Sequence, residues 1–209
     1  MKRLALITGA AAGLGRAIAE RLAADGIDVL LADVQEEAVR RTTQELSTAG
    51  LPAHALNFDV TDEAAVAAAY ADIDQRFGRL DILVNNAGIM GLRTPVAEMP
   101  LATWEQVLNV NLTGTFLMCR GAVPLMRRGG FGRIVNISSR AARGRSAVGS
   151  PGYAASKTAL LGFSRVLAGE VGRDGITVNC VAPSTVVTPM TVEIAQEGKR
   201  CGINLVGLS

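Results

Sequence analysis

Residues 7–33 read ITGAAAGLGRAIAERLAADGIDVLLAD, and this stretch decides the fold. An apolar strand-length run ends at Thr8. A turn of small residues with Gly9, Gly13 and Gly15 follows, then an amphipathic helix-length run ending at Gly26, then a second strand, DVLLAD, closed by Asp33. Such a turn is either a small-residue packing turn or a cradle for a phosphate. Glycines let a backbone approach a pyrophosphate closely, and a helix N-terminus favours negative charge. An acid at the end of the second strand favours the cradle, because a carboxylate there accepts both hydroxyls of a ribose.

The same alternation continues outward. Beyond RLALIT, GLGRAIAERLAADG and DVLLAD come a helix in QEEAVRRTTQELSTAG with Gly50 as its C-cap, and a third strand, AHALNFDV. A helix in TDEAAVAAAYADIDQRFG is capped by Thr61 or Asp62, with acids in its first turn. A fourth strand, LDILVNN, leads to WEQVLNVNLTGTFLMCRGAVPLMRR, one long helix or two abutting ones. GRIVNIS is a fifth strand, YAASKTALLGFSRVLAGEVG a helix, and ITVNCVA a sixth strand. Near-continuous apolar strands are buried on both faces. Strand and helix in regular alternation give an α/β fold, a doubly wound parallel sheet in a single domain with six strands.

Composition sets the remaining bounds. The 209 residues, 49% of them hydrophobic, make one sizeable core. A net charge of +2 with interspersed signs gives no field for nucleic acid or acidic lipid, and 4% aromatic content is poor for stacking bases. Three scattered cysteines, Cys119, Cys180 and Cys201, with one histidine, His54, form no metal-ligand spacing and fit a reducing, cytoplasmic setting. The run Leu4–Ile7 is too short for a signal peptide, and no membrane-length apolar window occurs, so a soluble protein is expected.

The pair Tyr153 and Lys157 in YAASK lies four residues apart, on one helix face. A tyrosine of ordinary pKa near 10 is a poor base at neutral pH, and a neighbouring ammonium brings it towards acid–base range. Ser139, at the end of the fifth strand, is placed to hold a carbonyl oxygen as charge develops on it. Asn85 and Asn86 at the fourth strand's end bind backbone groups, line a cofactor cleft, or serve only as turn residues. Asp33 repels a 2′-phosphate, no Lys or Arg follows it directly, and Arg16 points away. The sequence therefore favours NAD over NADP.

TGAAAGLG (Thr8–Gly15), NNAG (Asn85–Gly88), the serine of NISS and YAASK occur in order at strand ends. This set closely resembles the short-chain dehydrogenase/reductase family, from about Lys2 to Met190. The resemblance implies a Rossmann-type domain over residues 1–190, a short divergent tail over 191–209, and NAD(P)-dependent interconversion of a secondary alcohol and a ketone. By the same resemblance, Tyr153 is the general acid–base, Lys157 lowers its pKa and holds the nicotinamide ribose, and Ser139 orients the substrate oxygen. Asn111 in NVNLTG holds a water on the proton relay. Gly9, Gly13, Leu14 and Gly15 face the pyrophosphate, Asp33 the adenosine ribose, and Asp59 and Val60 the adenine. Asn86, Ala87 and Gly88 flank the cofactor, and Val187 and Thr188 meet its carboxamide. Asp59 is also readable as a helix cap. In the family, helices equivalent to 114–127 and 154–171 pair subunits, so a homo-oligomer is expected.

Two departures stand out. Pro183-Ser184 replaces the family's Pro-Gly, and the chain past TPM does not resemble the family's further helix and seventh strand. Thr191–Arg200 is expected as a short lid helix, strand six as a bare apolar edge, and catalysis as weakened. Arg140, Arg143 and Arg145 either attract an acidic substrate, such as a carrier-bound 3-oxoacyl thioester, or form a solvated basic loop. A relative that binds nucleotide or a partner subunit without turnover, and a sugar-nucleotide epimerase, are the competing readings.

Overall fold

The computed structural model describes residues 2–91, 94–144, 150–184, 186–188 and 192. Leu4–Thr8 (β1) is buried at every position and sits at the centre of a parallel sheet. Ala5 lies opposite Val29 of Asp28–Asp33 (β2) on one side and Ile82 of Ile82–Asn85 (β4) on the other. Ala53–Asn57 (β3) flanks β2, while Gly132–Ile137 (β5) and Ile176–Val181 (β6) follow β4, so the described residues form one sheet in the order β3-β2-β1-β4-β5-β6. Chain order reverses between β1 and β4, which opens a crevice at the carboxyl ends of these two strands.

The period-2 alternation of the strands divides the core in two. Leu4, Leu6 and Leu30 face a cluster with Tyr70 and Ile73 of Glu63–Phe77 (α3), Leu117 to Met126 of Gly114–Gly129 (α5), and Leu167 and Val171 of Pro151–Val171 (α6). Ala5, Ile7, Val29 and Leu31 face Ala19 and Ala23 of Gly13–Ala24 (α1) with Val39 and Leu46 of Glu36–Thr48 (α2). Each leucine, isoleucine or valine buried in this way contributes about 1.5–3 kcal/mol by leaving water. Below β1, the buried carboxylate of Asp81 accepts from the Leu4 backbone N–H at 2.8 Å and from Arg79 Nε at 2.9 Å, which fixes the start of the central strand. No helix among the described residues is long and apolar enough to cross a membrane. No group of three His, Cys, Asp or Glu side chains among them is arranged to hold a metal ion.

Several boundaries differ from the expectation. The third strand stops at Asn57 rather than Val60, because Asp59 Oδ1 accepts from both the backbone N–H and the hydroxyl of Thr61, turning the chain into α3. Asp62, not Thr61, is the cap, its Oδ1 accepting from the N–H groups of Ala64 and Ala65. Ala49 closes α2, and Gly50 is the left-handed residue just beyond it, at φ +78°. The helix bearing Tyr153 begins two residues early, at Pro151, with Ser150 as N-cap. The long segment is Leu101–Leu108 (α4) joined to α5 through a π-helical turn, Asn109–Thr113, so it is continuous yet changes phase.

The sixth strand is the edge of the sheet among the described residues, as expected, but it is not apolar along its length. Ile176 and Val178 are buried under α6, whereas Thr177 and Asn179 point outward and are exposed. Its alternation is that of a strand covered on one face, unlike β1. Ser184 needs no glycine, since no described residue other than glycine has a positive φ. The expected lid over Thr191–Arg200 lies outside the described residues apart from Val192.

Two glycine-to-alanine substitutions test this packing in opposite directions. A Cβ at Gly121 would stand 2.2 Å from the Tyr70 ring, whose hydroxyl is fixed on the Met118 carbonyl at 2.7 Å. Gly121→Ala is expected to lower stability by about 1–2 kcal/mol through overpacking. Gly169, in α6, has nothing within 4 Å of such a Cβ, so Gly169→Ala is expected to raise stability by about 0.5–1 kcal/mol. Urea denaturation of the two variants beside the parent measures both signs.

Candidate active site

The glycine turn is built by its neighbours. Gly9 and Gly13 hold φ of +64° and +56°, a left-handed backbone that side chains with a Cβ adopt poorly. Gly15 is small for a reason inside the turn itself. A Cβ there would lie 2.2 Å from the Gly9 carbonyl oxygen and 2.5 Å from Asn86 Nδ2, so its smallness lets the turn close on itself. Asn86 donates through Nδ2 to the carbonyls of Thr8 at 2.9 Å and Gly9 at 3.0 Å. The Thr8 hydroxyl accepts from the backbone N–H of Asn86 and of Ala87. Helix α1 then starts at Ala12, an N-cap with no side-chain acceptor, and its first turn carries no acid. The positive end of the helix is left for an external anion. Leu14, in that first turn, packs its side chain on the α1–α2 cluster.

Asp33 closes β2 beside this turn. Its Oδ2 accepts from the Ala11 N–H at 3.0 Å and its Oδ1 from the Gln35 N–H at 3.0 Å, which orients the carboxylate and leaves lone pairs on both oxygens. Arg16 faces elsewhere, pairing with Glu20 at 2.7 Å and Glu45 at 2.9 Å. The residues present thus fit a dinucleotide: an uncapped helix start for its pyrophosphate and an oriented carboxylate for a ribose.

Across the crevice, α6 presents Tyr153 and Lys157 on one face. Lys157 is 4% exposed, donates from Nζ to the Ile137 carbonyl at 2.7 Å, and lies 5.8 Å from the centroid of the Tyr153 ring. Burial pushes the Lys157 ammonium down to about 8 from an ordinary 10.5. Ser138 is buried and spends its hydroxyl on the Lys157 carbonyl at 2.8 Å, which leaves Ser139 as the serine at the mouth of the site. Ser139 Oγ accepts from the Ala141 N–H at 3.2 Å and starts a short 3-10 turn whose Ala142 carbonyl accepts from Thr158. These contacts dock the end of β5 onto α6 beside Lys157.

Asn111 lies in the π-helical turn and is fully buried. Its Oδ1 accepts from the Ile89 N–H at 2.8 Å, and its Nδ2 donates to the Ile89 carbonyl at 2.9 Å and to Ser156 Oγ at 3.0 Å. The side chain is therefore a brace between the β4 exit loop and α6. Gly88 lets this happen: a Cβ there would stand 3.0 Å from Asn111 Oδ1 and 3.4 Å from Lys157 Nζ.

Other expected residues are placed less directly. Val60 turns its side chain into the core against Gly114, and Asp59 is occupied with Thr61. Ala87 packs against the α3–α5–α6 cluster. Val187 is 81% exposed, the Thr188 carbonyl accepts from the Val192 N–H at 3.0 Å, and Arg145 lies outside the described residues. Asn85 belongs to the fold, donating to Asn136 Oδ1 at 2.8 Å and to Cys119 Sγ at 3.3 Å; Asn136 in turn donates to Ser164. Sequence reasoning missed three positioning side chains: Thr8, Ser150 and Ser156. Ser150 was findable, since serine before proline marks a helix start. Its hydroxyl donates to the Met90 carbonyl at 2.8 Å and accepts from the Tyr153 N–H at 3.2 Å.

A family model described as short chain dehydrogenase matches residues 3–199. Short-chain reductase protein NovJ of Streptomyces niveus is 47% identical over 194 residues, covering 92% of this chain and 72% of its own. The 3-oxoacyl-[acyl-carrier-protein] reductase FabG of Aquifex aeolicus is 37% identical, over 95% of this chain and 79% of its own. Among solved structures, an actinorhodin polyketide ketoreductase with NADPH superposes at a TM-score of 0.90 with 36% identity, covering 100% of this chain and 78% of its own. Levodione reductase does so at 0.87 with 38% identity, covering 95% and 76%.

The buried amine carries a pH signature. Its folded pKa, about 8, lies below the ordinary 10.5, so between those values the unfolded chain binds more protons and stability rises with pH. The cost of burying the charge is fully present below about pH 8 and is relieved towards 10.5. Lys157→Met, which keeps the stem, is expected to be more stable relative to the parent at pH 7 than at pH 10. The difference between the two pH values is about 2 kcal/mol, read by urea denaturation of both proteins.

Proposed function

The chain belongs to the short-chain dehydrogenase/reductase family, NAD(P)-dependent oxidoreductases that act on CH–OH groups, and from that premise we propose that it interconverts a secondary alcohol and a ketone through Tyr153, Lys157 and Ser139. The observation that carries this reading is the buried Lys157 amine, held by the Ile137 carbonyl at 5.8 Å from the Tyr153 ring and beside the Ser138–Ser139 turn. A cation buried there stabilises a phenolate far more than one in water does. In oxidation, Tyr153 takes the hydroxyl proton while the carbinol carbon gives up its hydride; in reduction, Tyr153 returns that proton to the carbonyl oxygen. Ser139 donates to the same oxygen as charge builds on it. The nicotinamide, when bound, accepts or supplies the hydride.

The turn Gly9–Gly15 and the start of α1 hold the pyrophosphate, with Asn86, Ala87 and Gly88 along its flank. Asp33 holds the adenosine ribose and favours NAD, because its carboxylate is anchored by two backbone N–H groups and cannot swing aside for a 2′-phosphate. Asp59, Val60, Val187 and Thr188 complete the cofactor's surroundings in this reading, and Asn111 acts as the brace of the site. The names of the relatives, a carrier-protein reductase and a polyketide ketoreductase among them, support a 3-oxoacyl thioester as the first substrate class to assay. The setting is cytoplasmic, in keeping with the free thiols of Cys119 and Cys180.

The α5–α6 face supports a homo-oligomer. Phe116 is 43% exposed with Arg120 over its ring at 5.4 Å, and Val166 is 73% exposed. Val166→Asp is expected to shift the sedimentation coefficient to that of a monomer; an unchanged coefficient for the parent at monomer size refutes the pairing.

Fluorescence titration is expected to give NADH a dissociation constant at least tenfold below that of NADPH. Tyr153→Phe is expected to keep NADH affinity within threefold and lose about 100-fold or more in turnover of a 3-oxoacyl thioester or ketone. Retained turnover in that variant would remove Tyr153 from the chemistry.

A further inference from the structure

We propose that Thr42, on α2 and outside every motif named above, is a positioning residue for the dinucleotide: it fixes the pyrophosphate turn from behind. The inference rests on the cofactor reading of the preceding subsection and concerns how the turn is held.

The observation is where the Thr42 hydroxyl goes. A threonine inside a helix ordinarily turns its hydroxyl back onto the carbonyl four residues earlier. Thr48, Thr115 and Thr158 all do so here, onto Gln44, Asn111 and Ala154 at 2.8–3.0 Å. Thr42, 1% exposed, instead donates to the Ala11 carbonyl at 2.8 Å, 31 residues away in sequence. Ala11 is the middle of the glycine turn, and its N–H is held by Asp33 Oδ2 at 3.0 Å. One residue is therefore gripped through both its backbone groups by side chains of two different elements, β2 and α2.

The grip extends along the turn. Asn86 holds the Thr8 and Gly9 carbonyls, the Ala10 N–H donates to the Ala32 carbonyl at 3.1 Å, and the Ala12 carbonyl accepts from the Arg16 N–H at 3.2 Å. Ala11 leads directly into Ala12, the uncapped start of α1, so its carbonyl sets the plane of the peptide that carries the Ala12 N–H. Anion binding by backbone N–H groups depends on their direction, and a turn fixed beforehand spends no affinity on ordering itself. Without the Thr42 hydroxyl the Ala11 carbonyl is buried with its donor gone, and the peptide turns to find another. Asp33 then has two tasks, holding the Ala11 N–H as well as facing the ribose. Replacing it to admit NADP costs affinity for both dinucleotides.

Thr42→Val keeps the shape and removes the hydroxyl. Binding is measured well below the melting temperature, with folding verified by circular dichroism. The variant is expected to weaken NADH binding about five- to tenfold, the loss of one hydrogen bond. ADP-ribose, which displaces NADH and has the same pyrophosphate, is expected to weaken by the same factor, while adenosine, which has none, keeps its affinity. Thr42→Ser is expected to restore NADH binding to within twofold of the parent. A purely structural threonine would lower the melting temperature and leave these constants alone. Thr42→Cys, a weaker donor of similar size, gives a second variant with an intermediate loss expected. The proposal is overturned if the folded Val and Cys variants both bind NADH within twofold of the parent, or if adenosine weakens as much as ADP-ribose. A parent chain that binds neither NADH nor NADPH removes the cofactor reading itself, and this inference with it.

Discussion

The Thr8 side chain is the point on which the site depends. β1 and β4 pair as far as Ile7 and Val84, and then their chains leave in opposite directions to open the crevice. Where the backbone ladder stops, the Thr8 hydroxyl continues it, donating to the Val84 carbonyl at 3.4 Å and accepting from the N–H groups of Asn86 and Ala87 at 3.1 and 3.0 Å. The hydroxyl is buried with its residue at 1% exposure. A bond of this kind contributes about 1 kcal/mol; the Asn86 N–H also donates to the Val84 carbonyl at 3.1 Å, so it is the Ala87 N–H that relies on the hydroxyl. Asn86 returns the connection through its own amide to Thr8 and Gly9. The two halves of the site, the glycine turn and the loop leading to Asn111, are thereby fixed to each other at the mouth of the crevice.

Burial is used at this site at some expense to the fold. Lys157 is held in a low-dielectric place where its charge is disfavoured, with the Ile137 carbonyl as its polar partner at 2.7 Å. The neighbouring interior is unusually polar for the middle of a sheet: Asn85, Asn136 and Ser164 form a hydrogen-bonded file, and Asn111 and Ser156 form another. Apart from Asn85 Oδ1, which is buried without a partner among the described residues, these groups are paired, and such networks specify one arrangement of strands and helices. They hold α6, and with it Tyr153, at a fixed height over the ends of β4 and β5.

Most of the fold was legible in the sequence because its determinants are local. Apolar runs of strand length, caps such as Asp62, and the glycines at Gly26 and Gly50 each act within a few residues. The motifs TGAAAGLG, NNAG, NISS and YAASK, each a few residues long, identified the family for the same reason. What was not legible depends on contacts across the fold. Gly15 reads as a glycine for a ligand, yet its Cβ space is filled by the Gly9 carbonyl and by Asn86, about seventy residues on. The resemblance gives Asn111 a water on the proton relay, and nothing local to NVNLTG shows that its amide is spent on Ile89 and Ser156. Alternation in β6 was missed because strand length alone does not tell whether one face or two will be covered.

The π-helical turn at Asn109–Thr113 makes the number of residues in this segment a structural quantity. The Gly114 N–H reaches back five residues to the Asn109 carbonyl, so one residue more than a regular helix needs is accommodated there. Each residue of an α-helix advances the chain by about 100°. Deleting one of the five restores a regular helix, and α5 keeps its face towards the core, because the wide turn absorbs the extra residue without the rotation an α-helical residue brings. Leu117, Met118, Ala122 and Met126 would stay in the core, while Asn111 would lose its place in the wide turn and with it Ile89 and Ser156. The extra residue of NVNLT thus serves the placement of Asn111 rather than the packing of α5.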